Sequence, residues 1–193
     1  MAFDSLGALY IADYSNHRIQ KLIIGTSTGI TVAGQANAAI GNDSYHLYKP
    51  VHMAFDSNDN MYVSDRANSR VQFFPRGNLS GTTVAGITGN QLFFYKRISK
   101  HKIFIGLSGN TNDTLSAATA VAYDSQTNNL YIADTGNHRV MQYQYGSSVG
   151  NVVAGGNGYG FGASQLSTPY GLYFDVFSNS LVICNYNMPR VVW

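Results

Sequence analysis

The sequence contains little of what several classes of protein require. Of its 193 residues only Cys184 is a cysteine, which excludes an internal disulfide and a cysteine-based metal site. Charged residues make up only 11%, and the formal net charge of +2 gives no reason by itself to expect nucleic acid or an anionic membrane as partner. No apolar run reaches the roughly 18 residues of a membrane span. Asp4 stands where a signal peptide carries positive charge, so a cytoplasmic location is favoured without the compartment being fixed.

What the sequence does contain is a repeat. The segment MAFDSLGALYIAD at 1–13 returns as MAFDSNDNMYVSD at 53–65, as VAYDSQTNNLYIAD at 121–134 and as LYFDVFSNSLVICN at 172–185. An arginine follows each copy, at Arg18, Arg70, Arg139 and Arg190. Self-similarity of this kind is the signature of repeat architectures.

Each copy divides into short apolar or alternating runs that are separated by polar turns. In the second copy these runs lie at 52–56, 60–65, 70–74 and 82–86. The turns have hairpin lengths, and no helical period is present in the sequence. Four antiparallel strands in a unit of about 40–50 residues predict an all-β fold of about 3.5–4 propeller blades.

We therefore predict a single domain over 1–193, with an insertion at 91–106 in its second blade. The blades are expected at about 1–49, 50–117, 118–168 and 169–193, the last of them incomplete. Because neither end of the sequence supplies a spare strand to close a ring, we expect an open fragment of a propeller. The end blades of such a fragment expose apolar faces, so self-association through them is a further expectation.

The repeat resembles the NHL repeat. Its pattern is an aspartate, Leu-Tyr-Ile-Ala-Asp, two residues, Asn-His-Arg and then Val-Ala-Gly. The residues Asn-His-Arg that give the repeat its name are complete at 16–18 and 137–139, and the second copy has a serine in place of the histidine. The fourth copy has Met188-Pro189-Arg190 at this place, and Asn185 where the other copies have an aspartate. NHL propellers usually have six blades, so the resemblance implies that this chain is part of a six-bladed ring.

The resemblance also implies a function. NHL propellers serve as non-enzymatic recognition modules for proteins or single-stranded RNA, and in the tripartite-motif NHL proteins they select the targets of a ubiquitin ligase. One cysteine cannot build the zinc domains of such a ligase, so this activity would belong to a longer protein or a partner. We expect a protein partner first, RNA second, no membrane and no cofactor.

An aspartate that ends a second strand precedes an arginine by five residues in three copies. The pairs are Asp13 with Arg18, Asp65 with Arg70 and Asp134 with Arg139. Across a short hairpin these positions face each other, and a carboxylate there can accept guanidinium and turn N–H groups. Because an active site is needed once whereas these pairs recur, we interpret them as structural staples. By the same alignment Cys184 is expected to be a buried, inert thiol under a neighbouring blade.

Two alternative functions have candidate residues. The peptidyl-hydroxyglycine amidating lyase has NHL-type repeats and holds zinc with histidines from several blades, and His52 is a weak candidate for such a ligand. The insertion, expected to be a hairpin, carries four basic residues beside aromatic ones, so phosphate contact and base stacking are a second alternative. These basic residues are Lys96, Arg97, Lys100 and Lys102.

Overall fold

The computed structural model describes residues 1–26, 28–86, 96–98, 101–103, 109–187 and 191–192. In this part the chain forms β-strands and three short 3-10 turns, without an α-helix. A search of the described residues for a helix able to cross a membrane found none. The predicted all-β class is confirmed.

Four antiparallel sheets follow one another along the chain, and we call them blades 1 to 4. Blade 1 contains β1 (Ala2–Phe3), β2 (Leu9–Asp13), β3 (Arg18–Leu22) and β4 (Gly29–Gly34). Blade 2 contains β5 (Pro50–Phe55), β6 (Met61–Asp65), β7 (Arg70–Phe74) and β8 (Thr82–Ala85). Blade 3 contains β11 (Ala120–Asp124), β12 (Asn129–Asp134), β13 (Arg139–Tyr143) and β14 (Asn151–Gly155). Blade 4 contains β15 (Pro169–Asp175), β16 (Ser180–Asn185) and β17 (Val191–Val192). The predicted set of about 3.5–4 propeller blades is confirmed.

Two further strands lie within the predicted insertion. β9 (Lys96–Ile98) and β10 (His101–Ile103) pair antiparallel, with Arg97 opposite Lys102. This is the pairing expected of a hairpin at this place. Lys100 lies outside the described residues, and the description of Lys96, Arg97 and Lys102 stops at the backbone.

An aspartate closes the turn after the first strand of every blade. In each case its Oδ1 accepts the backbone N–H two residues further on, at 2.9 to 3.1 Å. An aspartate side chain that bonds its own backbone in this way mimics a backbone turn. The four aspartates are Asp4, Asp56, Asp124 and Asp175. This repeated residue therefore sets where each first hairpin begins.

A 3-10 turn joins the second strand to the third in blades 1 to 3. The turns span Tyr14–Asn16, Arg66–Asn68 and Thr135–Asn137. The residue after each turn has a left-handed backbone, with φ of 57° at His17, 52° at Ser69 and 53° at His138. Since strands alternate in direction, these turns and the connections between blades lie on one side of the molecule, which we call the turn face.

The core consists of three apolar layers, one between each pair of neighbouring blades. First strands follow one another around the arc, β11 against β5 and β15 against β11. The layer between blades 2 and 3 includes Val71, Leu115, Ile132 and Met141, all fully buried. Each connection between two blades contributes one leucine, which packs into the apolar layer between those two blades. These leucines are Leu47, Leu115 and Leu166.

An aromatic pair spans every one of these layers. A tyrosine on the second strand of one blade contacts the aromatic residue at or next to the end of the first strand of the following blade. The ring centroids lie 4.7 Å apart for Tyr10 and Phe55, 5.6 Å for Tyr62 and Tyr123, and 5.1 Å for Tyr131 and Phe174. The blades are thus joined by the same contact three times, and such pairs contribute beyond the area that they bury.

The two end blades lack a neighbour on one side within the described chain, and this corrects the prediction for Cys184. The thiol is exposed, whereas Ser64 and Ala133 at the same place in blades 2 and 3 are 0% exposed. Those two residues are covered by the following blade, and Ser64 even donates a hydrogen bond to Thr119 there. Cys184 has the predicted position in its blade, but no following blade covers it within the described part of the chain.

The aromatic pairs should be a main source of cohesion between blades. We expect Tyr62→Ala to lower the free energy of unfolding by about 3–5 kcal/mol, because the ring is buried between blades 2 and 3. Tyr145→Ala is the matched control, since that ring is 80% exposed, and should change the free energy by less than about 0.5 kcal/mol. Urea unfolding measures both, and equal costs would contradict the packing role.

Candidate functional site

The predicted pairs of aspartate and arginine meet at the base of each 3-10 turn. In blade 2, Arg70 Nε lies 2.8 Å from Asp65 Oδ2, and the two residues are direct register partners of β6 and β7. The same carboxylate accepts the side-chain amide of Asn68 at 2.7 Å and the backbone N–H of Tyr48 at 2.6 Å. The Asp65 carboxylate is fully buried, and both of its oxygens accept hydrogen bonds.

The other end of the arginine holds the connection between blades. The terminal nitrogens of Arg70 donate to the backbone carbonyls of Asn42, Asp43 and His46, the last two at 3.0 Å. One side chain therefore satisfies carbonyls of a segment that lacks a regular backbone partner. We call this arrangement of carboxylate, guanidinium and connection the clasp.

Blade 3 contains the same clasp. Arg139 Nε lies 2.7 Å from Asp134 Oδ2, and Asp134 Oδ1 accepts the N–H of Ser116 at 2.6 Å. The terminal nitrogens of Arg139 donate to three connection carbonyls at 2.7 to 3.1 Å, those of Asn110, Thr111 and Thr114. Burial raises the pKa of the Asp134 carboxyl, and its hydrogen bonds and the guanidinium act against that rise.

The clasp is weaker at both ends of the arc. In blade 1 the Asp13 and Arg18 side chains lie 3.0 Å apart but are about a quarter exposed. In blade 4 Asn185 replaces the aspartate, its Oδ1 accepts the Ser167 N–H at 3.2 Å, and its buried Nδ2 has no partner in the described part. Arg190 lies outside the described residues.

The histidines of the repeat join neighbouring blades. His17 Nδ1 accepts the N–H of Lys49 at 3.3 Å, and His138 Nδ1 accepts the N–H of Thr168 at 3.2 Å. In blade 2 the hydroxyl of Ser69 takes the same role. Because Nδ1 is occupied as an acceptor, it is unavailable to a metal. Burial, together with the positive charge of Lys49, lowers the pKa of His17.

His52 lies on β5, the first strand of blade 2. Its backbone N–H donates to Ser64 Oγ at 2.9 Å, and its side-chain Nδ1 is buried without a partner among the described residues. Burial and the nearby positive N-terminus lower the pKa of its imidazole. Within the described ranges no group of three histidine, cysteine or acidic side chains could hold a metal ion.

The side opposite the turn face has cavities between blades 1 and 2, of about 420 Å³, and between blades 2 and 3, of about 290 Å³. Tyr62 and Tyr143 line the smaller one, and burial raises the pKa of Tyr62 and raises that of Tyr143 to about 12. Neither phenol is therefore suited to proton transfer at neutral pH. Lys21 and Arg76 line the larger cavity, and each is paired with an aspartate.

The turn face carries a cluster that the sequence analysis missed. Lys49 Nζ lies 5.6 Å from the Tyr14 ring and 5.9 Å from the Tyr48 ring, and Arg66 donates to the Tyr14 hydroxyl at 3.4 Å. We call these four residues the cationic aromatic cluster. A signal for it existed, since Tyr14 and Arg66 occupy the position directly after the repeated aspartate, where the residue type differs between copies.

More aromatic residues are exposed on the same face over blades 3 and 4. They form two contacting pairs, with ring centroids 6.2 Å and 5.7 Å apart. The pairs are Tyr159 with Phe161 and Tyr170 with Tyr186. The turn face therefore presents exposed rings on the connections and turns of several blades.

A family model described as NHL repeat matches residues 1–22 and 115–143. No curated protein matches the sequence. Among solved structures, a chain from the crystal structure of a nidogen/laminin complex is similar at 14% identity and a TM-score of 0.62, over 95% of this chain and 56% of that one. A structural genomics protein of unknown function from Bacteroides thetaiotaomicron is similar at 14% identity and a TM-score of 0.67, over 98% of this chain and 44% of that one.

A gluconolactonase from Xanthomonas campestris is also similar, at 11% identity and a TM-score of 0.60, over 95% of this chain and 54% of that one. At such identities the similarity shows the fold alone. The chain spans about half the length of these solved structures.

The clasp should act on stability. We expect Asp134→Ala to lower the free energy of unfolding by about 3–5 kcal/mol, because it leaves the buried Arg139 guanidinium without its carboxylate. The same substitution at Asp13, where the pair is partly exposed, should cost only about 1 kcal/mol. Chemical denaturation measures both. Loss of a binding partner by Asp134→Ala with unaltered melting would contradict the structural role.

The histidine contacts should make stability depend on pH. Because the pKa of His17 is lowered in the folded state from 6.5, the unfolded chain binds the proton more readily, and stability is lost as the pH falls below 6.5. The pKa of His52 is also lowered from 6.5 in the folded state, so this residue contributes to the same loss of stability at low pH. His17→Ser keeps an acceptor like Ser69 and should reduce the loss of stability between about pH 7.5 and about pH 5.5. Urea unfolding at both pH values measures it, and an unchanged loss would contradict this assignment.

Proposed function

Since the chain is an NHL-repeat β-propeller, we propose that it is a non-enzymatic scaffold that binds a protein partner on its turn face. The observation that carries this proposal is the cationic aromatic cluster, in which Tyr14 is exposed and Tyr48, Lys49 and Arg66 are partly exposed, next to the clasps of blades 1 and 2. Binding residues are characteristically carried by loops on a rigid scaffold.

The composition of the turn face supports a protein partner. Tyrosine and arginine are enriched where protein interfaces bind most tightly, because their large side chains bury apolar area and keep a polar group. Tyr14 and Arg66 contribute both features next to each other, and Tyr170 and Tyr186 extend the aromatic surface over blade 4. One of the similar structures, the nidogen/laminin complex, is itself an assembly of proteins.

The charge of the cluster indicates the chemistry of the partner. Lys49 and Arg66 form no ion pair within the described part of the chain. Their charges lie beside the exposed ring of Tyr14 and the partly exposed ring of Tyr48, so an acidic segment with aromatic or apolar side chains would be complementary in both respects. We therefore propose an acidic, aromatic peptide segment of another protein as the ligand.

The repeated polar residues support a non-enzymatic role. The carboxylates and guanidinium groups of the clasps bond to the fold itself, and the histidines accept backbone N–H groups. Target selection for a ubiquitin ligase is one setting for such a scaffold. The ligase domains would then lie in a partner or in a longer protein.

A peptide titration tests the proposal. A fluorescein-labelled peptide of alternating glutamate and tyrosine should bind, and a peptide with lysine in place of glutamate should not. Tyr14→Ala and Arg66→Ala should each weaken binding by about tenfold, since both contribute to one cluster. Tyr145→Ala, on the opposite side, is the matched control. Equal binding of both peptides, or equal affinity in all variants, would contradict the proposal.

Two further measurements address the alternative functions. Stoichiometric zinc that is lost in His52→Ala would indicate the lyase-like enzyme instead of a scaffold. Binding of single-stranded RNA that falls steeply with salt and disappears when 91–106 is deleted would indicate the RNA-binding module. We expect neither result.

A further inference from the structure

Each interface between neighbouring blades contains a tyrosine of a second strand, and the residue opposite it on the third strand affects what its hydroxyl bonds. In blade 1 the Tyr10 hydroxyl donates to Asp4 at 3.2 Å, and the register partner Lys21 bonds the same carboxylate at 3.0 Å. In blade 3 the Tyr131 hydroxyl accepts the side-chain amide of its register partner Gln142 at 3.1 Å. In both blades the chain itself satisfies the phenol.

Blade 2 differs because the residue opposite its tyrosine cannot form a hydrogen bond. The register partner of Tyr62 is Phe73, and the two ring centroids lie 5.0 Å apart. The Tyr62 hydroxyl has no hydrogen-bond partner among the described residues, although the residue is only 4% exposed. A hydroxyl that is buried without a partner costs free energy, so this position favours an additional molecule that supplies one.

Tyr62 lines the cavity of about 290 Å³ between blades 2 and 3. The rings of Phe73, Tyr143 and Tyr145 line it as well, and polar atoms come from short or amide side chains such as those of Asn128 and Ser148. Every described residue that lines this cavity is uncharged. Mostly apolar walls with a few polar groups are typical of sites for small molecules.

The cavity between blades 1 and 2 occupies the same place in the repeat but has different chemistry. Lys21 and Arg76 line it, and each is paired with an aspartate, at 3.0 Å and 3.3 Å. Asp59, the partner of Arg76, also accepts the N–H and the hydroxyl of Ser5 in blade 1. The corresponding residues of the smaller cavity are uncharged, and they are Phe73, Asn128 and Tyr145.

We propose that the cavity between blades 2 and 3 binds an uncharged aromatic molecule of one or two rings, whose carbonyl oxygen accepts a hydrogen bond from the Tyr62 hydroxyl. The aromatic walls can contact a flat ring edge to face or offset. A charged ligand would lose its hydration there without meeting a charge of opposite sign. Burial raises the pKa of Tyr62, so the phenol keeps its proton and can donate it at neutral pH.

This site is independent of the peptide site proposed above. It lies on the side opposite the turn face, between two blades that both have all four strands. The cationic aromatic cluster contributes no residue to it. Failure of one proposal therefore leaves the other standing.

An NMR titration with three naphthalene compounds tests the proposal. Acetylnaphthalene offers a carbonyl, isopropylnaphthalene has a similar shape without an acceptor, and naphthoate carries a negative charge. The ketone should bind about fivefold more tightly than the hydrocarbon, and naphthoate should not bind measurably. The amide signals of Asn128, Tyr145 and Ser148 should shift with the ketone, because these residues line the cavity. A ketone that fails to bind up to its solubility limit, or that shifts only other amides, would overturn the proposal.

Substitutions that remove single hydroxyl groups assign the hydrogen bond. Tyr62→Phe keeps the ring and should weaken binding of the ketone by about fivefold while binding of isopropylnaphthalene stays the same. Urea unfolding should show no loss of stability in this variant, because the hydroxyl has no partner to lose. Tyr131→Phe is the matched control, since its hydroxyl bonds Gln142 at another interface, and it should bind the ketone like the unmodified chain. An undiminished preference for the ketone in Tyr62→Phe, or an equal loss in Tyr131→Phe, would contradict the assignment.

Discussion

The buried clasp of aspartate and arginine is the interaction on which the rest of this structure depends. A charged pair that is removed from water is stable only if its remaining donors and acceptors are satisfied. In blades 2 and 3 the turn and the incoming connection satisfy them, and Asp65 and Asp134 therefore fix both segments at once. Sheet, turn and connection become one unit, which is why the same few residues recur in each copy.

The clasp and the aromatic pairs stabilise different parts of the propeller. The clasp fixes the turn of a blade and the connection that leads into it. The aromatic pairs join one blade to the next through apolar contact between rings. Together they bond the turns to the fold, while Tyr14 remains exposed and Arg66 partly exposed on the turn face. A repeated scaffold with differing side chains at one turn position is well suited to recognition.

The repeat made much of the fold predictable. Its period indicated the blades, and the five-residue spacing from Asp65 to Arg70 indicated their register across a hairpin. The carbonyls that the arginines bond could not be predicted, because the connections have no periodicity to align. The exposure of Cys184 was missed since burial at that position depends on a further blade, and the cationic aromatic cluster was missed since it joins turns of two blades.

Hydrogen exchange at two backbone amides tests the central claim most directly. The N–H of Ser116 donates to the buried Asp134 carboxylate at 2.6 Å, whereas the N–H of Ser167 donates to the Asn185 amide oxygen at 3.2 Å in the same place of the repeat. If the charged clasp orders the connections, Ser116 should exchange about tenfold more slowly than Ser167 under native conditions. Equal exchange at the two amides would contradict the account.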